Sequence, residues 1–126
     1  MKRLLVLVSL LSTLAITANA QNRGAAANAC DRECLRGFVT QYLDAMIAHN
    51  SKALQTAPTV RFTEDAKTLP LGEGLWKGIS KIRPYRVDIL DVRESVAASH
   101  VVVEENGMPI MLALRLKIAD RKITEV

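Results

Sequence analysis

Asn106-Gly107 stands between two long runs in which apolar residues fall on every second position. Asn-Gly is the pair favoured by a two-residue type I′ turn, because both of its central residues need positive φ. With Glu105 set opposite Met108, counting outward fixes the register of the whole hairpin. Val101 and Val103 then share a face with Ile110, Leu112, Leu114, Leu116 and Ile118. The other face carries Ala98, His100, Val102, Glu104, Met111, Ala113, Arg115 and Lys117. A slip of one residue would exchange these two sets, so a buried first face specifies the pairing strongly. The first face is core, and the second is amphipathic, suited to solvent or to a partner sheet.

A sheet with one apolar face needs a cover, and the chain supplies one. Leu35, Phe38, Val39, Tyr42, Leu43, Met46 and Ile47 recur at helical spacing and predict a helix over Asp31–His49 with a single apolar stripe. Asp31 and Glu33 suit its positive end, and His49 and Asn50 suit its stop. Ser51 caps a brief second helix through Leu54, and Pro58 prevents its continuation. Val60–Thr63 reads as a strand and Glu64–Lys67 as a turn, with Thr68–Leu71 pairing back at an edge because of Pro70. After Gly72-Glu73-Gly74 comes a helical turn around Leu75 and Trp76, and Tyr85–Val92 is a further strand. Asp120-Arg121 is a turn, and Ile123–Val126 begins a last strand.

Residues 1–20 have the pattern of a secretory signal: Lys2-Arg3, an apolar run from Leu4 to Ile16, then Ala18-Asn19-Ala20 as the small-x-small cleavage site. The run is too short for a membrane span, which takes about 20 apolar residues, and no second run follows. Export to the periplasm or medium is therefore expected, with no membrane attachment after cleavage. Gln21–Ala29 is a small, polar lead-in, and residues 30–126 form one domain. Lys2 and Arg3 carry half of the formal net charge of +4. The other basic residues are interleaved with acidic ones, which argues against nucleic acid as a partner.

Cys30 and Cys34 lie one helical turn apart, which in a helix places their Cα atoms about 6 Å from each other, within disulfide reach. A structural clip, a pair of free buried thiols and a redox dithiol are the possible readings. Export favours the clip, worth roughly 2 kcal/mol on the loop-closure model, and CxxxC spacing disfavours redox catalysis.

Several stretches resemble a family of exported bacterial and fungal domains of unknown function within the nuclear-transport-factor-2-like (SnoaL-like) superfamily. They are Cys30-Asp31-Arg32-Glu33-Cys34-Leu35 with Gly37-Phe38-Val39, Tyr42-Leu43-Asp44-Ala45, and Val60-Arg61-Phe62-Thr63-Glu64. Leu69-Pro70-Leu71-Gly72-Glu73-Gly74-Leu75-Trp76 and Val102-Val103-Glu104-Glu105-Asn106-Gly107 extend the likeness over nearly all of the mature chain. The resemblance implies an α+β fold in which the N-terminal helix packs on a curved antiparallel sheet. The fold is cone-shaped, encloses a pocket between helix and sheet, and is often dimeric through the sheet. It implies no established activity. Such domains usually continue past the strand that stops here at Val126, so the sheet is expected to lack its last edge.

Within that frame the candidate ligand-binding residues are Tyr42, Phe62, Glu64 and Trp76. Tyr42 lies on the helix stripe, where a buried hydroxyl needs a partner. Phe62 and Glu64 share a strand face, so an inward Phe62 brings Glu64 with it. An inward carboxylate beside aromatics is the usual way to an acid or base working near neutrality, and Arg61 or Asp44 could pair with it. Glu64 belonging to a hydrated turn is the competing reading. Trp76 suits a plug at the pocket's mouth better than a ligand clamp.

His100 is placed by the register on the amphipathic face, away from the pocket, and His49 suits a helix end. Gly72 to Gly78 spells GxGxxxG, but Pro70 before it and antiparallel hairpins around it make it a loop rather than a dinucleotide fingerprint. No Walker loop, HExxH, GxSxG or zinc-type Cys/His spacing occurs, so neither metal nor cofactor is expected. The expected function is the binding of a small, mostly apolar molecule. The alternatives are an isomerase, cyclase or hydrolase using Glu64 or Asp44 with Tyr42, and an accessory protein that dimerises through its sheet face.

Overall fold

A computed structural model describes residues 30–126. The expected signal peptide, residues 1–20, and the lead-in, residues 21–29, lie outside the described residues. Helix α1 spans Arg32–Ile47. Asp31 starts it: the Cys34 N–H donates to the Asp31 carboxylate at 2.8 Å, satisfying one of the amides that a first turn leaves unpaired. His49, with φ of 50°, stops it. The His49 N–H donates to the Met46 carbonyl (3.1 Å) and the Asn50 N–H to that of Ala45 (2.9 Å), a Schellman termination. Asp31 and His49, the two ends of the predicted helix, are thus its cap and its terminator. A disulfide joins Cys30 to Cys34 across the first turn, with Cα atoms 5.2 Å apart.

Seven strands follow: β1 (Thr56–Arg61), β2 (Thr63–Glu64), β3 (Lys67–Thr68), β4 (Ile79–Asp91), β5 (Val96–Glu105), β6 (Met108–Ala119) and β7 (Lys122–Glu125). Short 3₁₀ turns occupy Ser51–Ala53 and Gly74–Lys77. The main sheet has the order β1-β7-β6-β5-β4, and β2 and β3 form a separate ribbon. The β5–β6 hairpin has the register counted from Asn106-Gly107, with Glu105 opposite Met108 and Val101 opposite Leu112. Both turn residues have positive φ, 49° and 81°. Asp120-Arg121 makes the same kind of turn without glycine, with φ of 48° and 56°.

The sheet is antiparallel except at one place. β1 runs parallel to β7, with Thr56 beside Ile123 and Arg61 beside Glu125, so the last strand lies inside the sheet.

Four segments differ from the sequence reading, one of them the edge strand expected over Thr68–Leu71, which is only Lys67–Thr68. The strand expected over Val60–Thr63 breaks at Phe62, which buries its ring while the chain leaves the main sheet for the β2–β3 ribbon. The turn expected over Glu64–Lys67 is only Asp65-Ala66, both at positive φ, so Glu64 and Lys67 pair across the ribbon. The strand expected from Tyr85 is the second half of β4. Its first half reads poorly because Lys81, Arg83 and Pro84 interrupt the alternation, and the register shifts there, between Ile82 and Arg86.

Helix α1 lies on one face of β4, β5 and β6. Leu35, Phe38, Val39, Tyr42, Leu43 and Met46 from the helix meet Ala97, Val101, Val103, Leu114, Leu116 and Ile118 from the sheet, all buried. Each large side chain removed from water stabilises the fold by about 1.5–3 kcal/mol before entropy is counted. The opposite face leaves Tyr85, Val87, Ile89, His100 and Met111 exposed. No helix among the described residues is long and apolar enough to cross a membrane.

Candidate functional site

Between α1, the β2–β3 ribbon and the β6–β7 side of the sheet lies a cavity of about 560 Å³, within the usual size range of ligand sites. Tyr42 and Met46 reach it from the helix, and Phe62, Glu64 and Leu75 from the ribbon side. Ile110, Leu112 and Leu114 supply apolar wall from β6, and Glu105, Arg115 and Glu125 charged wall.

Tyr42 is 1% exposed, and its orientation is fixed from behind. The Trp76 indole N–H donates to the Tyr42 hydroxyl at 2.9 Å, and the two rings meet edge to face with centroids 5.2 Å apart. Trp76 in turn is held by His49, whose Nδ1–H donates to its backbone carbonyl. An indole is only a donor, so the Tyr42 oxygen must accept, and its own proton is left to donate elsewhere. Among the described residues it has no acceptor, and Tyr42 lines the cavity. Burial, opposed by the Trp76 hydrogen bond and reinforced by the Glu64 carboxylate, pushes the Tyr42 hydroxyl well above the ordinary tyrosine range. It therefore stays protonated, and remains a donor, throughout the physiological range.

Glu64 is half-buried at the cavity wall. The Leu75 N–H donates to both of its carboxylate oxygens, 3.1 Å each, at the start of the Gly74–Lys77 turn. Gly74 has φ of 65°, and its Cα is so close to the Glu64 carboxylate that a Cβ there would collide with it. Glu64 thus has a structural task as well as a place in the cavity. Glu125 accepts from Arg115 at 2.6 Å and lies 3.8 Å from Arg61. Glu105 faces the cavity near Gly78.

The structure brings Tyr42, Phe62 and Glu64 to one cavity. Trp76, 1% exposed, stands behind Tyr42 and is not part of the cavity wall. Asp44, two residues from Tyr42 on the helix, points outward to a shallow depression with Gln41 and Ala48, so it does not meet Glu64. Arg61 is exposed and pairs with Glu125 rather than Glu64. His100 is exposed on the far face of the sheet. Cys30 and Cys34 are joined at the helix start and take no part in the cavity.

The site also uses Met46, Glu105, Ile110, Leu112, Arg115 and Glu125, which sequence reasoning did not assign to a pocket. The helix stripe and the hairpin register already pointed Met46, Ile110 and Leu112 inward. Glu105, Arg115 and Glu125 carried no such signal, because the cavity opens at a strand edge that only the β7 pairing defines. Among the described residues no group of three or more His, Cys, Asp or Glu is placed to hold a metal ion. Compared with protein-family models and with curated proteins, the chain matches none.

Proposed function

We propose that this chain is an exported nuclear-transport-factor-2-like domain that holds a small, mostly apolar molecule between its helix and its sheet. One observation carries the reading: a cavity of about 560 Å³ whose floor is Met46, Phe62, Ile110 and Leu112, with one oriented donor, the Tyr42 hydroxyl. Apolar wall with placed polar groups is the usual composition of a binding site, and here Glu64, Asp65, Glu105, Arg115 and Glu125 make the polar share of the wall a large one. One helix packed on a mainly antiparallel sheet is the coarse architecture that the family reading expects, and the Cys30–Cys34 disulfide suits export to an oxidising compartment. An acid/base enzyme on this scaffold would need Glu64 freed from the Leu75 amide, and would not have Asp44 within reach.

Native mass spectrometry of protein secreted by its own host tests the proposal. A discrete small adduct, lost on unfolding, is expected. A bare polypeptide mass from freshly secreted protein would count against it.

Exposed Tyr85, Val87, Ile89 and Met111 on the outer face favour a second, compatible reading, a homodimer through the sheets. Replacing Ile89, which is 60% exposed, by Asp should convert a dimer to monomer in sedimentation velocity without changing the fold. A monomeric parent protein removes this reading.

A further inference from the structure

Two carboxylates of the cavity wall rest on the same short turn. Glu64 lies against Gly74, where the 3₁₀ turn begins, and Glu105 against Gly78, which caps its end. A Cβ at Gly78 would stand 2.9 Å from a Glu105 carboxylate oxygen, and one at Gly74 closer still to Glu64. Both acids therefore occupy places that a side chain would take from them. At a rise of about 2 Å per residue the two glycines are about 8 Å apart along the turn, within the span of one small molecule. Among the described residues neither acid is paired with a Lys or Arg, whereas Glu125 is bonded to Arg115. The wall thus keeps negative charge that nothing in it cancels. A second observation points to an occupant. Tyr42 is 1% exposed and lines the same cavity, and its hydroxyl accepts from Trp76 while its own proton has no acceptor among the described residues. A buried donor left unpaired costs about 1–3 kcal/mol, which a bound acceptor relieves. Glu64 acts on this hydroxyl by its charge, so donor and acid face one occupant.

We infer that the occupant is a small lipophilic amine, its ammonium group held by Glu64 and Glu105 and an acceptor atom of its body by the Tyr42 hydroxyl. The inference rests on the cavity being a binding site and gives its mostly apolar occupant one charged end. Met46, Phe62, Ile110 and Leu112 receive the apolar body. Hydrogen bonds from an ammonium to a carboxylate are about twice as strong as neutral ones. Glu64 has room for one: its two oxygens share the single Leu75 N–H, and a carboxylate offers about four acceptor sites. An aromatic ring in the same wall, that of Phe62, also favours a cation. A neutral molecule of the same shape gains only the apolar wall and Tyr42, and an anion is repelled.

The test is isothermal titration calorimetry of the mature protein with three methoxynaphthyl probes on one short alkyl chain: a primary amine, a methyl ketone and a carboxylate. The methoxy oxygen gives each probe the same acceptor for Tyr42, so the series varies the charged end. The amine should bind at least about tenfold more tightly than the ketone, and the carboxylate more weakly than either. Raising the salt concentration should narrow the gap between amine and ketone, and does so without altering the chain. Glu105→Gln, which keeps the size of the side chain, should narrow it by about threefold or more. Tyr42→Phe should weaken amine and ketone alike. Tightest binding by the carboxylate, or an amine preference that neither salt nor Glu105→Gln reduces, would overturn the inference. If the ketone binds and the amine binds no better, the charged end is wrong and the pocket reading stands. If no probe binds, both fail.

Discussion

Gly74 holds a left-handed backbone, φ 65°, and by lacking a Cβ it lets the Glu64 carboxylate close over the Leu75 amide. Two costs are therefore separable at this residue. Alanine in that conformation costs about 1 kcal/mol whatever surrounds it. A Cβ also displaces Glu64, and the lost amide bond adds about another 1 kcal/mol. Gly74→Ala should destabilise by about 2 kcal/mol in urea unfolding, and by only about 1 kcal/mol in a Glu64→Ala background. Equal losses in the two backgrounds would show that the Glu64–Leu75 contact contributes nothing. The same contact explains what of the site was legible at this scale. Tyr42 was readable as inward because it lies on the apolar stripe of the helix, whereas Phe62 was inward only as a condition, since a strand of four residues does not say which face is buried. The role of Glu64 was not readable, because it depends on an amide eleven residues later, reached through a glycine turn with no local signature.

Helix α1 begins with two devices in one turn, the Asp31 cap and the Cys30–Cys34 disulfide. Cys30 is 4% exposed, so the bridge also ties the helix start to the core. Replacing both cysteines by Ser should cost about 2 kcal/mol from loop closure alone. Asp31→Ala should cost about 1 kcal/mol by orphaning the Cys34 amide. Both act on the same turn, so the combined variant should lose less than the sum, because a frayed turn has no cap left to lose. Thermal unfolding of the two parents and the combination measures this, and full additivity would show that cap and clip act independently. Helix α1 and the β5–β6 hairpin were legible in the sequence because their signals are local and periodic. The parallel pairing of β1 with β7 was not, since Thr56 and Ile123 meet only once everything between them has folded. Nor was the first half of β4, where the Lys81, Arg83 and Pro84 interruption hides a strand that tertiary pairing with β5 sustains.

Across the whole molecule, helix and sheet are joined by charge as well as by apolar packing, and pH reads the two separately. Asp88 faces α1 from β4, its side chain 10% exposed, and forms a two-point pair with Arg86 at 2.9 Å. Arg86 bonds on to the Thr40 hydroxyl at 3.0 Å and the Arg36 carbonyl at 3.5 Å, so the pair links strand to helix. Burial alone would raise the Asp88 carboxyl; the two-point pair with Arg86, with Arg36 3.8 Å away, outweighs that and holds it below the usual aspartate range. A depressed carboxyl stabilises the fold fully above its unfolded value, about 3.9, and loses that contribution as pH falls through the folded value. Tyr42 has the opposite sense: its raised hydroxyl supports the fold until pH climbs past about 10, where the unfolded tyrosine ionises. The acid limb is the one to test. Asp88→Asn should cost about 1–3 kcal/mol at pH 7 by leaving Arg86 without its counter-charge. As pH falls below about 4 the parent's Asp88 takes up a proton, and the melting temperatures of parent and variant should converge. A gap that stays constant from pH 7 to pH 2 would mean that Asp88 acts by shape alone, and that α1 is held to β4 without help from its charge.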